Sequence, residues 1–280
     1  MIKFLSAALP AALLAALACA PAKAQSELKL FDAHMHYNWE PKPYYSLQQV
    51  LDTFRRNGVA GVLATSRPND GTRAIVDAKA PGLWVVPFIR PYRVASDVRT
   101  WSSDPSIYEM VQTEYRRGFY RGIGEFHIFG KAAGSEWVKK TVDFAVEHDL
   151  YLHAHCDEEA LLILFSHNPR ARIIWAHTGF TTEPARVAEL LTQYPALWAE
   201  LSYRSGITEG GGKLTAPWRD LFTRYSERFL IGSDTWIDQR WSQYDELMRG
   251  YRGWLAQLPA DQARNIAHAN AERLFGGKVE

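Results

Sequence analysis

Eight short apolar segments recur along the chain, each of a length that suits a buried strand, and helix-like stretches separate them. Strands that alternate with helices form parallel sheets, either closed barrels or open, doubly wound sheets. Five of the segments end in histidine or acidic residues, whereas an open sheet concentrates its site at one switch point. The pattern therefore predicts an α/β fold, a (β/α)8 barrel with its site at the carboxyl ends of the strands. The predicted strands span residues 28–36, 61–66, 83–90, 122–127, 151–155, 172–177, 197–203 and 229–234.

Helix start and stop signals lie between these segments. Ser46 opens one helical pattern and Gly58 closes it, and Asp104 with Pro105 opens another. The pattern around residues 70–78 contains Gly71, so we expect a short or irregular helix there. The helix that opens at Asp104 is predicted to end near residue 118. The other predicted helices span residues 135–147, 157–165, 183–193, 216–227, 239–255 and 259–275.

The first 24 residues are typical of a secretory signal peptide. A positively charged start (residues 1–3) precedes an apolar run (residues 4–18), and Ala22-Lys-Ala24 fits a cleavage site. The run is shorter than the roughly 20 residues that a membrane span needs. Cys19 stands in a loose match to a lipoprotein motif, so lipidation is the alternative to a soluble exported chain. We expect cleavage after residue 24, a mature barrel domain of residues 25–280, and a periplasmic or secreted location.

The charge and the cysteines narrow the classes of function. Removal of residues 1–24 takes away Lys3, Lys23 and no acidic residue, so the formal net charge changes from +1 to −1. A near-neutral chain without basic runs has no electrostatic basis for binding nucleic acid or anionic lipid. Cys156 is then the only cysteine and cannot form an internal disulfide. The 256 remaining residues suit one barrel of about 250 residues, with a small molecule as the expected partner and no transmembrane segment.

The strand ends carry the residue types that a catalytic divalent metal ion prefers. In a strand, residues two apart share a face, so Asp32, His34 and His36 are predicted to point the same way. The same parity joins Glu125 to His127. Neutral imidazoles and carboxylates without a thiolate cage are typical of a catalytic metal site. The sequence thus predicts a site for one or two divalent ions, with zinc as the first candidate and manganese, iron or cobalt as alternatives.

In their order and spacing these motifs resemble the amidohydrolase superfamily of metal-dependent TIM-barrel hydrolases. The resemblance is to the amidohydrolase-related branch, with a strand-four glutamate like that of TatD-like enzymes, and it covers nearly the whole mature chain. The motifs that carry it are Asp32-Ala-His-Met-His36, Gly122-Ile-Gly-Glu125, Ala176-His-Thr-Gly179, Arg228-Phe-Leu-Ile-Gly-Ser-Asp234 and Asn270-Ala-Glu-Arg-Leu-Phe275.

The resemblance implies roles for six residues. Two histidines of strand one and the aspartate of strand eight would bind the more buried ion. The strand-four glutamate would bridge to a second ion, held by histidines of strands five and six, and the aspartate would also accept a proton from the attacking water. In this chain the six residues are His34, His36, Glu125, His155, His177 and Asp234.

Several positions allow two interpretations. His153 and His155 compete for the ligand role on strand five, and His155 is preferred because it lies nearer the carboxyl end. His127 is expected either to face the substrate or to be a loop-edge histidine. Glu200 matches no ligand position; it would either support a ligand through a hydrogen bond or hold Arg204.

Arginines and aromatic residues follow several strands on the same face. Arg67, Arg90 and Arg93 would clamp a substrate carboxylate or phosphate, or form ordinary salt bridges at the rim. Tyr203 and Trp236 would line an apolar mouth. The candidate substrate-binding residues are His127, Arg90, Tyr203 and Trp236.

The sequence favours an exported hydrolase that uses a metal-activated hydroxide to cleave an amide, ester, lactone or phosphoester. The alternative is a decarboxylase or C–C lyase with one metal ion, since the amidohydrolase-related branch contains such enzymes. A bridging glutamate argues for two ions, so metal stoichiometry separates the two hypotheses. A binding protein that lost its chemistry is a third reading, and a TatD-like nuclease is disfavoured by the absence of a basic surface.

Overall fold

In a computed structural model, which describes residues 28–39 and 42–279, eight parallel strands follow one another around a barrel in chain order. The last strand returns to the first: the backbone N–H of Ala33 donates to the carbonyl of Ile231 at 2.8 Å. The predicted (β/α)8 barrel is thus confirmed. Its strands are β1 (Leu30–Met35), β2 (Val59–Ala64), β3 (Trp84–Ile89), β4 (Gly122–Ile128), β5 (Tyr151–Cys156), β6 (Arg172–Trp175), β7 (Leu197–Glu200) and β10 (Phe229–Leu230). A short hairpin, β8 (Thr208–Glu209) and β9 (Lys213–Leu214), lies between the last two.

Helices follow the strands and cover the barrel. Ser46 caps the first by accepting from the backbone of Gln49, and Asp104 and Ser135 cap two others in the same way. The helices are α1 (Leu47–Arg56), α2 (Asn69–Asp77), α3 (Pro105–Tyr115), α4 (Glu136–Glu147), α5 (Glu158–His167), α6 (Pro184–Gln193), α7 (Ala216–Tyr225), α8 (Asp238–Ser242), α9 (Tyr244–Leu255), α10 (Ala260–Arg264) and α11 (Asn270–Phe275). A π-helical turn, Asn265–Ala269, joins the last two.

The structure differs from the predicted elements in four respects. Strands β6, β7 and β10 end earlier than predicted, because the chain turns out of the sheet before His177, Tyr203 and Asp234. The long helix predicted over residues 239–255 is two helices, α8 and α9, and the closing helix contains the π-helical turn. The hairpin β8–β9 was not predicted; it lies in the glycine-rich stretch 210–212 and its flanks. The predicted signal peptide and Cys19 lie outside the described residues.

Apolar packing leaves only one end of the barrel for polar chemistry. One cluster joins early strand residues to α11, where Phe275 stacks near Phe31 and meets Tyr151 edge-on. A larger cluster fills the space between the strands and the surrounding helices. The polar side chains therefore gather at the carboxyl ends of the strands, where the loops leave room for a ligand. Within the described part of the chain, no helix combines the length and apolarity that crossing a membrane requires.

Candidate metal centre

Four buried side chains from three strand ends meet at the carboxyl end of the barrel. His34 Nε2 lies 3.4 Å from Glu125 Oε1 and 3.5 Å from Asp234 Oδ1. His36 Nε2 lies 3.4 Å from Glu125 Oε2 and 3.0 Å from Asp234 Oδ1. One ligand atom from each of the four lies within 4.8 Å of the others. Two imidazoles and two carboxylates are a donor set that suits a divalent transition metal ion.

Glu125 also faces a second group of imidazoles. Its Oε1 lies 2.8 Å from His155 Nδ1 and 3.4 Å from His177 Nε2, and these two nitrogens are 3.1 Å apart. His177 Nε2 is also 3.9 Å from Asp234 Oδ2. The structure therefore brings together all six residues of the predicted ligand set, with Glu125 between the two halves.

Two buried atoms at this point have no hydrogen-bond partner among the described residues. They are His34 Nε2 and Asp234 Oδ1, and both belong to the group of four ligands described above. Burying a polar atom without a partner costs free energy, so such atoms are rare in folded proteins. A cation bound between them would satisfy both, and the residues present thus fit a divalent metal ion.

The charges in the centre favour ionised carboxylates. Burial works to raise the pKa of Asp234, but the charge of His34 and the close approach of His36 Nε2 outweigh it and lower the pKa to about 2. Burial likewise opposes ionisation of Glu125, yet His34, His127 and Arg90 hold its pKa well below the usual range. The carboxylates in turn raise the pKa of His34 well above normal, despite its burial. The two carboxylates are therefore in the ionised form that a cation requires.

Glycines and a threonine place Glu125 and its neighbours. A Cβ on Gly124, whose φ is +125°, would lie 2.2 Å from the carbonyl oxygen of His153, so only glycine lets β4 approach β5 here. The hydroxyl of Thr65 accepts from the backbone N–H of Glu125 at 2.9 Å. Just after the last barrel strand, a Cβ on Gly232 would lie 2.3 Å from Glu200 Oε1. These contacts were not predicted from sequence.

Unusual backbone conformations mark the ends of β6, β7 and β10. His177, Thr178, Phe180, Tyr203 and Asp234 have φ between +47° and +59°. Only two other described non-glycine residues have positive φ, and both lie in turns between a helix and a strand. Non-glycine residues pay for this conformation, and such residues cluster at functional sites. All of these side chains except that of Thr178 line the cavity at the carboxyl end of the barrel.

Glu200 supports ligands of both halves and does not hold Arg204. His34 Nδ1 donates to Glu200 Oε2 at 3.0 Å, and the backbone N–H of His177 donates to the same oxygen at 3.2 Å. Ser202 contacts Glu200 through its hydroxyl at 2.8 Å and accepts from His177 Nδ1 through its carbonyl at 2.8 Å. A carboxylate only accepts, so it keeps the proton on His34 Nδ1 and directs the Nε2 lone pair into the site. In the sequence, the feature that could have indicated this supporting role is the spacing of Glu200 and Ser202, two residues apart near the end of a predicted strand.

We expect Glu200→Gln to weaken metal binding by about 10- to 100-fold, because an amide does not enforce one imidazole tautomer. The measurement is chelator competition on the folded protein, with Glu200→Asp expected to retain part of the affinity. Glu227→Gln, which alters an exposed carboxylate, is the matched control. Wild-type affinity in Glu200→Gln would remove this supporting role.

Three further side chains lie near the centre, and one of them, Asp32, does not take its predicted place. Asp32 does not contribute to the metal centre. Its carboxylate accepts from Ser233 Oγ at 2.6 Å and from Tyr244 OH at 2.8 Å. The prediction that it shares a face with His34 is wrong because the pairing of β1 with β2 is irregular beyond Asp32. His153 is fully buried below the centre, its ring 4.4 Å from that of His34, with both ring nitrogens unpartnered among described residues. His127 stacks on His155 with ring centroids 4.0 Å apart, and burial lowers its pKa to about 3.

A cavity of about 410 Å³ opens beside the metal centre. Arg90 is buried, and its guanidinium donates to Glu125 Oε2 at 2.9 Å. Arg93 instead forms rim salt bridges with Asp97 and Asp104, both at 3.0 Å, as in the simpler of its two interpretations. All four candidate substrate-binding residues line the cavity, together with Arg67, Val98 and Phe180.

Comparison with known proteins agrees with this geometry. The sequence profile of the amidohydrolase family matches residues 118–277, more than half of the chain. No curated protein is significantly similar in sequence.

Solved structures share the fold at low identity. A zinc-bound amidohydrolase from Burkholderia multivorans is 16% identical with a TM-score of 0.59, over 89% of this chain and 100% of that one. The TatD homologue YjjV from Escherichia coli is 16% identical with a TM-score of 0.63, over 90% and 99%. A probable 2-pyrone-4,6-dicarboxylic acid hydrolase from Acinetobacter baumannii is 14% identical with a TM-score of 0.57, over 89% and 100%.

Proposed function

Because the chain belongs to the amidohydrolase family, we propose that it is a metal-dependent hydrolase of amide, ester, lactone or phosphoester bonds. The observation that carries the proposal is the position of Glu125, which lies between the two histidines at the end of β1 and the histidines at the ends of β5 and β6 in the predicted ligand set. That arrangement suits a pair of ions sharing one carboxylate, and two-metal sites serve hydrolysis in many enzymes.

In this proposal His34, His36, Glu125 and Asp234 would hold one ion, and Glu125 with two further histidines, His155 and His177, would hold a second. Zinc is the first candidate, since imidazole and carboxylate ligands suit it. Bound there, a divalent ion would supply Lewis acidity, lowering the pKa of a water from 15.7 toward about 7 and polarising the bond to be cleaved.

The chain's own residues would supply proton transfer and orientation. Because its pKa is lowered to about 2, the carboxylate of Asp234 is ionised, and it lines the cavity, so it is suited to accept a proton from the attacking water. It would then deliver that proton to the leaving group. His127 is neutral at ordinary pH and lies at the cavity wall, where it would hydrogen-bond the substrate.

Substrate binding would use the walls of the cavity. Arg90 places a buried positive charge beside the centre, suited to a developing oxyanion or a substrate carboxylate. Tyr203 and Trp236 are 43% and 49% exposed at the mouth and joined by a hydrogen bond of 3.2 Å from indole to phenol. They offer an apolar surface for the rest of a small molecule. We further propose export directed by residues 1–24.

Metal content per chain tests the proposal. We expect two ions per chain by elemental analysis of protein purified without added metal, and one or none in Glu125→Gln, because that variant weakens the shared ligand. Glu227→Gln should keep both ions.

One ion in both wild type and Glu125→Gln would favour a single-metal decarboxylase or C–C lyase instead. No ion, even after reconstitution, would contradict the ligand set itself.

A further inference from the structure

A second cavity, of about 500 Å³, lies beside the active-site cavity. It is bounded by residues that follow β7, by the hairpin β8–β9 and by helices α8 and α9. Tyr203 lines both cavities and so separates them. The metal centre does not use this space.

Arg240 is a buried cation without an acidic partner at the wall of this cavity. It is 9% exposed, and among the described residues its guanidinium forms no ion pair. Its Nε donates to the carbonyl of Ser233 at 2.7 Å, and its guanidinium carbon lies 3.9 Å from the centre of the Tyr203 ring. Its terminal nitrogens are not among the buried side-chain atoms that lack a partner, so they are open to the cavity.

Other partly buried arginines satisfy their terminal nitrogens with the protein. Arg228 donates to the carbonyls of Tyr194 and Leu197, and Arg90 pairs with Glu125. In the described part of the chain the terminal nitrogens of Arg240 have no such acceptor. Five donors in a planar fork match an oxyanion.

We propose that the second cavity binds a small oxyanion, a carboxylate or phosphate group, on the terminal nitrogens of Arg240. The cavity wall adds the hydroxyl of Thr208 and the amide of Gln243, and Glu246 is its one acidic residue. An anion there would also influence catalysis, since Arg240 holds the carbonyl of Ser233, the residue before Asp234. The anion is either the far end of the substrate or a separate small molecule.

Direct binding of inorganic phosphate to the metal-loaded protein tests the site, whether or not the protein is a hydrolase. We expect Arg240→Gln to weaken the binding at one site by about 10- to 100-fold, as loss of a charged hydrogen bond does. Phosphate bound at the metal centre is common to both proteins and should remain. Arg249→Gln, at an exposed arginine of α9, should bind like wild type. Equal affinity in Arg240→Gln and wild type would overturn the proposal.

A second pair of variants leaves Arg240 in place. A Cβ at Gly250 or Gly253 meets no atom within 4 Å, but only Gly250 lines the cavity. Gly250→Leu should therefore place a side chain in the cavity and weaken this phosphate binding, whereas Gly253→Leu should not. Leucine favours a helix more than glycine does at both positions. Retained binding in Gly250→Leu would also overturn the proposal.

Once an ester that the protein hydrolyses has been found, kinetics identify the source of the anion. This experiment rests on the proposed function. If the anion is part of the substrate, Arg240→Gln raises KM for a carboxylated ester and leaves a neutral analogue unchanged. If it is separate, phosphate changes the turnover of the neutral ester in wild type and not in Arg240→Gln. Either result supports the site; neither effect appearing would overturn its link to catalysis.

Discussion

Asp234→Asn is expected to lower kcat by about 10²- to 10⁴-fold, the usual contribution of a general acid–base group. The wild-type carboxylate is ionised, buried and positioned between His34 and His36. Asparagine keeps an oxygen that can contact a cation but cannot accept a proton from water. Metal content should therefore stay close to wild type while turnover is lost.

The measurement is kcat alongside elemental analysis of the same samples. Asp220→Asn, at an exposed aspartate of α7, is the control and should be fully active. Undiminished turnover in Asp234→Asn would end its role in proton transfer. Loss of the metal as well would show that the carboxylate acts chiefly as a ligand.

His34→Ala should lose at least one bound ion and reduce turnover to the uncatalysed level. His34 is the common contact of Glu125, Asp234 and Glu200, so its removal takes away a ligand and leaves three buried carboxylates without their main partner. Breaking such buried pairs costs about 3–5 kcal/mol, so a lower Tm is also expected for the metal-free variant. The apolar clusters that form the barrel do not include His34.

His177→Ala tests the second half of the site, and it too should lose metal-dependent turnover. His268→Ala changes a histidine of the π-helical turn that contacts Glu272, remote from the centre, and serves as the control. Circular dichroism reports whether the barrel remains folded. Wild-type activity in either His34→Ala or His177→Ala would remove the predicted metal centre from the reaction.

Local sequence was sufficient to predict the barrel, and the resemblance to amidohydrolases supplied the six candidate ligands. Strand and helix periodicities depend on neighbouring residues, so alternation along the chain predicted the fold class, and the structure confirms it. Parity along a strand correctly paired His34 with His36. The resemblance to amidohydrolases, confirmed by the family match, then pointed to Glu125 and His177.

The rule that residues two apart in a strand share a face gave a wrong prediction where the backbone is irregular. Asp32 lies two residues before His34, yet its carboxylate contacts Ser233 and Tyr244, more than 200 positions along the chain. The pairing shift in β1 that turns it away depends on contact with β2 and β10, not on the residues of β1 alone. Similarly, β6, β7 and β10 end at turns with positive φ that no local propensity predicts for histidine, tyrosine or aspartate.

The order of strand-end imidazoles and carboxylates, read from the sequence alone, determined the barrel class and the kind of ligand, because these follow from side-chain chemistry and short-range periodicity. The roles of the individual residues came from the resemblance to amidohydrolases. Only the tertiary structure decided which acid supports the ligands and that Arg240 lines a second cavity without an acidic partner among the described residues. Glu200 reaches His34 across 166 positions of sequence, and Arg240 meets Tyr203 only because α8 packs beside the end of β7. Such contacts arise from barrel closure and loop packing, which bring together residues that carry no local signal of one another.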